Sequence, residues 1–118
     1  MLTHVLHKVA GLTRRARSPR WREARKKWLR EHPRCAACAT VEKIEVHHVQ
    51  PFHVHPELEL DPANFITLCE AARECHLHVG HLGNWKLWNP LVRQQARTML
   101  AATTGGDPHG SNREGVGG

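Results

Sequence analysis

Cys35 and Cys38 form a C-x2-C pair, Cys69 and Cys75 a C-x5-C pair, and His47-His48, Asn64 and the run C-H-L-H-V-G-H (Cys75 to His81) lie between or just after them. Four thiolates at such spacings curl around a single tetrahedral Zn²⁺, with sulfur about 2.3 Å from the metal. The first pair is the stronger half of the signal, because five intervening residues in the second require a longer loop. A closed site of this kind shortens the Cys38–Cys69 excursion and contributes folding energy. With sulfur holding that metal, the histidines are left for other work. Seven of the eleven lie between positions 47 and 81. An imidazole ligates divalent metals and, with an ordinary pKa near 6.5, accepts a proton at neutral pH. Neighbouring strand residues point to opposite faces. His47 and His48, at the end of an expected strand, can therefore divide the labour: one ring binds a metal while the other faces a water or a substrate.

The charge pattern indicates what such a site would act on. The chain of 118 residues has a formal charge of +6 and a pI of about 9.7. From Lys8 to Arg34 there are eleven Lys or Arg against two Glu, a net +9, which leaves −3 for the rest. A basic arm on a less basic body suits a polyanion, since each phosphate contact releases counterions. Nucleic acid is the expected partner, and Arg20, Arg22, Lys26, Lys27 and Arg30 are the expected phosphate contacts. The plainer alternatives are a solvated helix face or, less well matched, an anionic membrane surface. No run of roughly 18 apolar residues is present, so no membrane span is expected. His4, His7 and Lys8 interrupt Met1–Ala10, so nothing there resembles an export signal. An intracellular, reducing setting follows as the expectation, and it favours metal over disulfide.

The elements that must position these groups are short. Ser18-Pro19 is a helix-start signal, and a basic helix is expected over about Pro19–Glu31, ended by His32-Pro33. Trp21, Ala24 and Trp28 lie on one face of it and are expected to pack on the core. Val41–Val46 alternates weakly and reads as a strand leading into His47-His48, followed by a proline-rich loop over Pro51–Pro62. Asn64–Leu68 reads as a second strand with Cys69 at its end. Helices are expected over Arg73–Leu82 and, after Asn89-Pro90, over Pro90–Ala102. Trp85 and Trp88 read as core packing between the last helix and the cysteine-clipped unit, not as a base-stacking platform. The expected organisation is a basic arm over residues 1–17, one small α+β domain over 18–104 with its core at 35–82, and a disordered Gly-rich tail over 105–118.

The runs E-V-H-H-V-Q-P-F, D-P-A-N-F-I-T-L-C and C-H, in that order, resemble the HNH endonuclease family in its zinc-clipped form. The resemblance covers about Cys35 to His81, roughly 40% of the chain. It implies a ββα-metal (His-Me finger) unit carrying a four-cysteine zinc clip, and hydrolysis of DNA with one catalytic divalent metal, leaving a 5′ phosphate and a 3′ hydroxyl. His48 matches the general base that takes a proton from the attacking water. His47 matches a ligand of the catalytic metal, where many relatives have Asp. Asn64 matches the central Asn, which either orders the loop or touches the metal. His76 matches the final His, with His81 second and His78 third as alternatives. Mg²⁺ or Mn²⁺ is the first expectation for that metal, and imidazole ligands equally admit Ni²⁺, Co²⁺ or Zn²⁺. His53 and His55 are expected as solvent or substrate contacts.

Three rivals use some of the same residues. A non-catalytic zinc-ribbon-like nucleic-acid-binding module would use the cysteines and the basic helix and leave His47, His48 and Asn64 without a role. A zinc deaminase is disfavoured because neither H-x-E nor P-C-x-x-C is present. A C2H2 finger needs about twelve residues between its Cys and His pairs, and only eight separate Cys38 from His47.

Overall fold

Phe65-Ile-Thr-Leu-Cys69 has β-branched and apolar side chains at every position, the composition of a strand covered on both faces. In the structure, a computed structural model that describes residues 16–103, all five of these residues are buried. The expected arm up to residue 15 and the expected tail from residue 105 lie outside the described residues. The order of elements is α1 (Trp21–Glu31), β1 (Ile44–His48), short 3₁₀ turns at Pro56–Leu58 and Pro62–Asn64, β2 (Phe65–Cys69), a π-helical turn (His76–Gly80) and α2 (Val92–Thr103). The result is a small α+β fold. β1 and β2 form a two-stranded antiparallel sheet in which His47 pairs with Ile66 and His48 with Phe65.

Alternation along the strands puts Val46, His48, Phe65 and Thr67 on one face, and His47, Ile66 and Leu68 on the other. α1 covers the first face. Its indoles, one heptad apart, both stand edge-on to Phe65, with Trp21 at 5.6 Å and Trp28 at 5.5 Å between ring centres. The Trp28 indole N–H donates to Thr67 Oγ1 (2.9 Å), and that hydroxyl donates to the His32 carbonyl (2.8 Å). The Arg25–Glu45 ion pair at 2.6 Å adds a tie along the edge. The tryptophans thus pack on the sheet as expected. The helix begins two residues later than Ser18-Pro19 suggests, because Ser18 caps differently. Its Oγ accepts the Arg20 N–H, and its own N–H is held by the Glu59 carboxylate.

The second face carries the core: Ile66, Leu68, Val79, Val92 and Ala96, with Cys35, Cys69 and Cys75 buried beside them. This is little apolar material for an independent domain, so a staple is physically required. The expected helix over Arg73–Leu82 is replaced by the π-helical turn. Glu74 before it and Leu82 after it are both left-handed (φ 47° and 55°), and Gly83 N–H closes the end on the Leu77 carbonyl. Gly80 explains why the chain lies so close to the sheet. A Cβ there would meet His47 Cε1 at 3.0 Å and Leu68 Cδ1 at 3.1 Å.

The C-x2-C knuckle closes through Ala39 N–H to the Cys35 carbonyl and is tied to β2 by Ala36 N–H to the Thr67 carbonyl, both 2.8 Å. Closure forces Ala39 to φ 68°, a conformation that costs a residue with a Cβ about 1–2 kcal/mol. Glycine removes that cost but frees the unfolded chain by somewhat less. Ala39→Gly is therefore expected to raise the unfolding free energy by about 0.5–1 kcal/mol. A denaturant titration of the metal-loaded protein checks this, and a lowered midpoint would show that Ala39 is not strained.

Candidate metal and catalytic sites

The two cysteine pairs converge. The four Sγ atoms of Cys35, Cys38, Cys69 and Cys75 lie within 4.8 Å of one another, with Cys38 and Cys69 at 3.8 Å, and no disulfide joins them. Such a group can hold a metal ion such as zinc. The backbone favours the thiolate form. Ala37 N–H points at Cys35 Sγ at 3.4 Å. Burial works against ionising Cys69, but N–H groups of Cys75 and Ala71 outweigh it and hold that thiol below the ordinary value. Burial and the neighbouring sulfurs push Cys75 strongly upward, and burial also raises Cys38. A dication reverses this crowding, because a coordinating thiol is deprotonated outright.

A second group forms between β1 and the π-helical turn. His47, from β1, meets His76 and His81, from the two ends of the π-helical turn. Their ligand atoms all lie within 4.8 Å of one another, and their rings stand 4.9–5.1 Å apart. The wide turn makes this meeting possible. His81 N–H bonds back to the His76 carbonyl, an i→i+5 bond that stacks residues five apart. An α-helix would instead pair His78 with His81; here His78 is exposed and outside the group. Two of the three rings are oriented from behind. His76 Nδ1 faces the Glu70 carboxylate at 3.0 Å, and His81 Nδ1 faces the Leu87 carbonyl at 2.7 Å. Both partners only accept, so Nδ1 carries the proton and Nε2 keeps its lone pair, the arrangement found behind metal-bound imidazoles. His47 Nε2 is buried with no hydrogen-bond partner among the described residues. Burial, with His76 and His81 beside it, pushes the His47 pKa down to about 3, so it stays neutral and able to donate its lone pair.

His48 takes the other face. Its ring packs against both Trp21 (4.7 Å) and Phe65 (5.4 Å), and its Nε2 donates to the Glu59 carbonyl at 2.9 Å. That bond fixes the tautomer and leaves Nδ1 as the basic nitrogen. Burial holds its pKa below the ordinary value, the Glu59 carbonyl works in the opposite direction, and Arg17 adds to the lowering.

Asn64 is buried and fully engaged. Its Oδ1 accepts the Gln50 N–H (2.7 Å), and its Nδ2 donates to the carbonyls of Gln50 (3.0 Å) and Leu58 (3.3 Å). It closes the base of the sixteen-residue connection between β1 and β2. Of the two roles open to it from the sequence, the contacts are those of a loop-ordering residue.

An open cleft of about 380 Å³ takes in both histidine faces. It is bounded by His47, His48, His76 and His81, with Arg17, Phe52, His53, Trp85 and Trp88 also in its lining. Of the expected phosphate contacts, Arg20, Arg22, Lys26, Lys27 and Arg30 are all exposed, but none lines this cleft. Lys27 is also paired with Glu31 at 2.9 Å. Among the described residues, Arg17 is the Lys or Arg that reaches the cleft. Its guanidinium lies over Phe52 (4.6 Å) and Trp21 (5.1 Å), 3.6 Å from the buried Glu59 carboxylate. His53 is exposed at the cleft edge, and His55 pairs with Glu57 at 3.0 Å. The reading of Trp85 as core packing is corrected: it is 55% exposed and stands 5.0–5.1 Å from His81 and His76. Trp88 is half-buried on the same wall.

The sequence reading passed over Glu59, Glu70 and Arg17. Glu70 carried a signal, an acid directly after one cluster cysteine and six residues before His76. Glu59 carried none, because the contact between its loop and Ser18 spans 41 residues. Comparison of the chain with family models, with curated proteins and with solved structures finds no match.

Proposed function

We propose that the protein is a metal-dependent endonuclease that hydrolyses DNA phosphodiester bonds in the manner of the HNH family. On this reading β1, β2 and the His76–Gly80 turn act as a ββα-metal unit clipped by zinc on the four cysteines. The observation that carries the reading is the unpartnered Nε2 of His47, buried beside two imidazoles whose Nδ1 atoms are already committed to acceptors. A buried polar atom left without a partner is costly, and a cation shared with His76 and His81 relieves it. The residues therefore fit a divalent metal. When bound, such a metal stabilises negative charge developing on phosphate and on the leaving oxygen. Three imidazoles with no carboxylate among them favour Ni²⁺, Co²⁺ or Zn²⁺ over Mg²⁺, which inverts the first expectation of Mg²⁺ or Mn²⁺.

The chain's own residues then divide the remaining work. His48 Nδ1 accepts the proton of an attacking water, and its Nε2–H stays on the Glu59 carbonyl throughout. Glu59 holds Arg17 at the cleft, where the guanidinium pairs with a phosphate. Asn64 keeps the connecting loop, and with it Glu59, in register with β1. The exposed cations of α1 contribute longer-range attraction to the DNA backbone. The products expected from this family are a 5′ phosphate and a 3′ hydroxyl.

Nicking of supercoiled plasmid across a panel of divalent metals tests the proposal. Wild-type protein should nick in at least one metal, and His47→Ala should raise the metal concentration for half-maximal rate by roughly a hundred-fold. Binding to DNA with no cleavage in any metal would leave the protein as a non-catalytic zinc-dependent binding module.

A further inference from the structure

Trp85 presents a large aromatic face where a structural role would bury it. More than half of the residue is exposed, yet it touches both His76 and His81 and forms one wall of the cleft, with Trp88 beside it. Arg17 belongs to the His48 side of the same cleft, its guanidinium lying over Phe52 and over Trp21, which packs on His48. The recess on the other flank of Trp85 is lined by Glu70 and Glu74. Phosphates are repelled on that flank and attracted on the Arg17 side, so a strand entering the cleft has its backbone confined to one side of the indole. The group it can then turn toward Trp85 is a base. Aromatic side chains in basic grooves take up bases by stacking, whatever their identity. A base paired and stacked within a duplex has no free face to offer.

We infer that Trp85 is a stacking platform for an unpaired nucleobase flanking the phosphate held at the histidines, so that the site takes single-stranded DNA, or an unpaired segment, in preference to duplex. The inference rests on the nuclease reading for the identity of that phosphate. It is a specificity assignment, and no proton transfer is attributed to the indole.

Binding, measured separately from cleavage, decides it. Fluorescence anisotropy of the zinc-loaded full chain, with no second metal added, would follow labelled DNA strands of about twelve nucleotides, within the usual span of single-strand sites. The strands are oligothymidylate, the same length of abasic sugar-phosphate, and a thymidine strand paired with its complement. Trp85→Ala should weaken oligothymidylate binding by roughly ten-fold, Trp85→Phe should restore most of it, and abasic binding should be the same for all three proteins. Wild type should also bind the single strand more tightly than the duplex. The inference is overturned if Trp85→Ala loses as much affinity for the abasic strand, if it loses none for oligothymidylate, or if the duplex binds as tightly as the single strand. Failure of the wild type to cleave under any metal would remove the nuclease reading and leave these binding results standing. Cleavage without any dependence of binding on Trp85 would remove the stacking inference alone.

Discussion

His48→Ala is expected to lower metal-dependent plasmid nicking by roughly a thousand-fold, the middle of the range that a positioned general base contributes. Zinc content and DNA affinity should be unchanged, because His48 belongs to neither metal-ligand group and its ring faces Trp21 and Phe65, away from the four cysteines. The pH profile should carry the same information. A base works in its deprotonated form, and burial holds the His48 pKa below the ordinary 6.5 or so. The sign follows directly: activity is present above the folded-state pKa and lost as pH falls through it. The acid limb of the metal-saturated rate should therefore lie below pH 6.5. Arg17 adds to the lowering, so Arg17→Gln should move that limb upward as well as weaken phosphate binding. Retention of more than a tenth of the wild-type rate in His48→Ala would remove His48 from its role.

If the four cysteines hold a zinc, as proposed, its removal is expected to unfold the domain. A chelator should release about one Zn per chain, and Cys69→Ser should abolish the cooperative melting transition. Binding of a structural zinc is worth about 10–16 kcal/mol in small domains, as much as the whole stability of an ordinary protein. Here three of the four cysteines are themselves among the largest fully buried side chains. Cys69 should be a sensitive position, because it is fully buried at the end of β2. Cys38 is partly exposed, so Cys38→Ser should be milder. The consequence reaches the histidines, since Glu70 and His76 each adjoin a cluster cysteine and bond to one another. Melting temperature and metal content measured together check this, and a metal-free purified protein of unchanged stability would overturn it.

Much of this arrangement is legible in the chain itself. Residue type and spacing are local information, and they indicate the four-sulfur group, the strand ending in His47-His48, the strand before Cys69 and the apolar face of α1 with Trp21 and Trp28. Period-two alternation also implies that the paired histidines diverge, and the register across β1 and β2 separates them in that way.

What local pattern leaves open depends on contacts between distant segments. His76 ranks first from the resemblance, with His81 and then His78 behind it, but α-helical spacing would put His78 with His81 and turn His76 away. The choice is made by a π-helical turn, itself allowed by the absence of a Cβ at Gly80 against His47. Trp85 and Trp88 have the composition of core residues, but burial depends on what lies above a residue, and here that is an open cleft. The basic arm is visible as charge, yet which cation enters the cleft depends on Glu59, a buried carboxylate that meets Arg17 from 42 positions away. Sequence alone thus determined which groups are available for metal binding and proton transfer and which strands carry them. Tertiary packing alone decided which lone pairs meet, because that depends on turn width and on close approach between segments far apart in the chain.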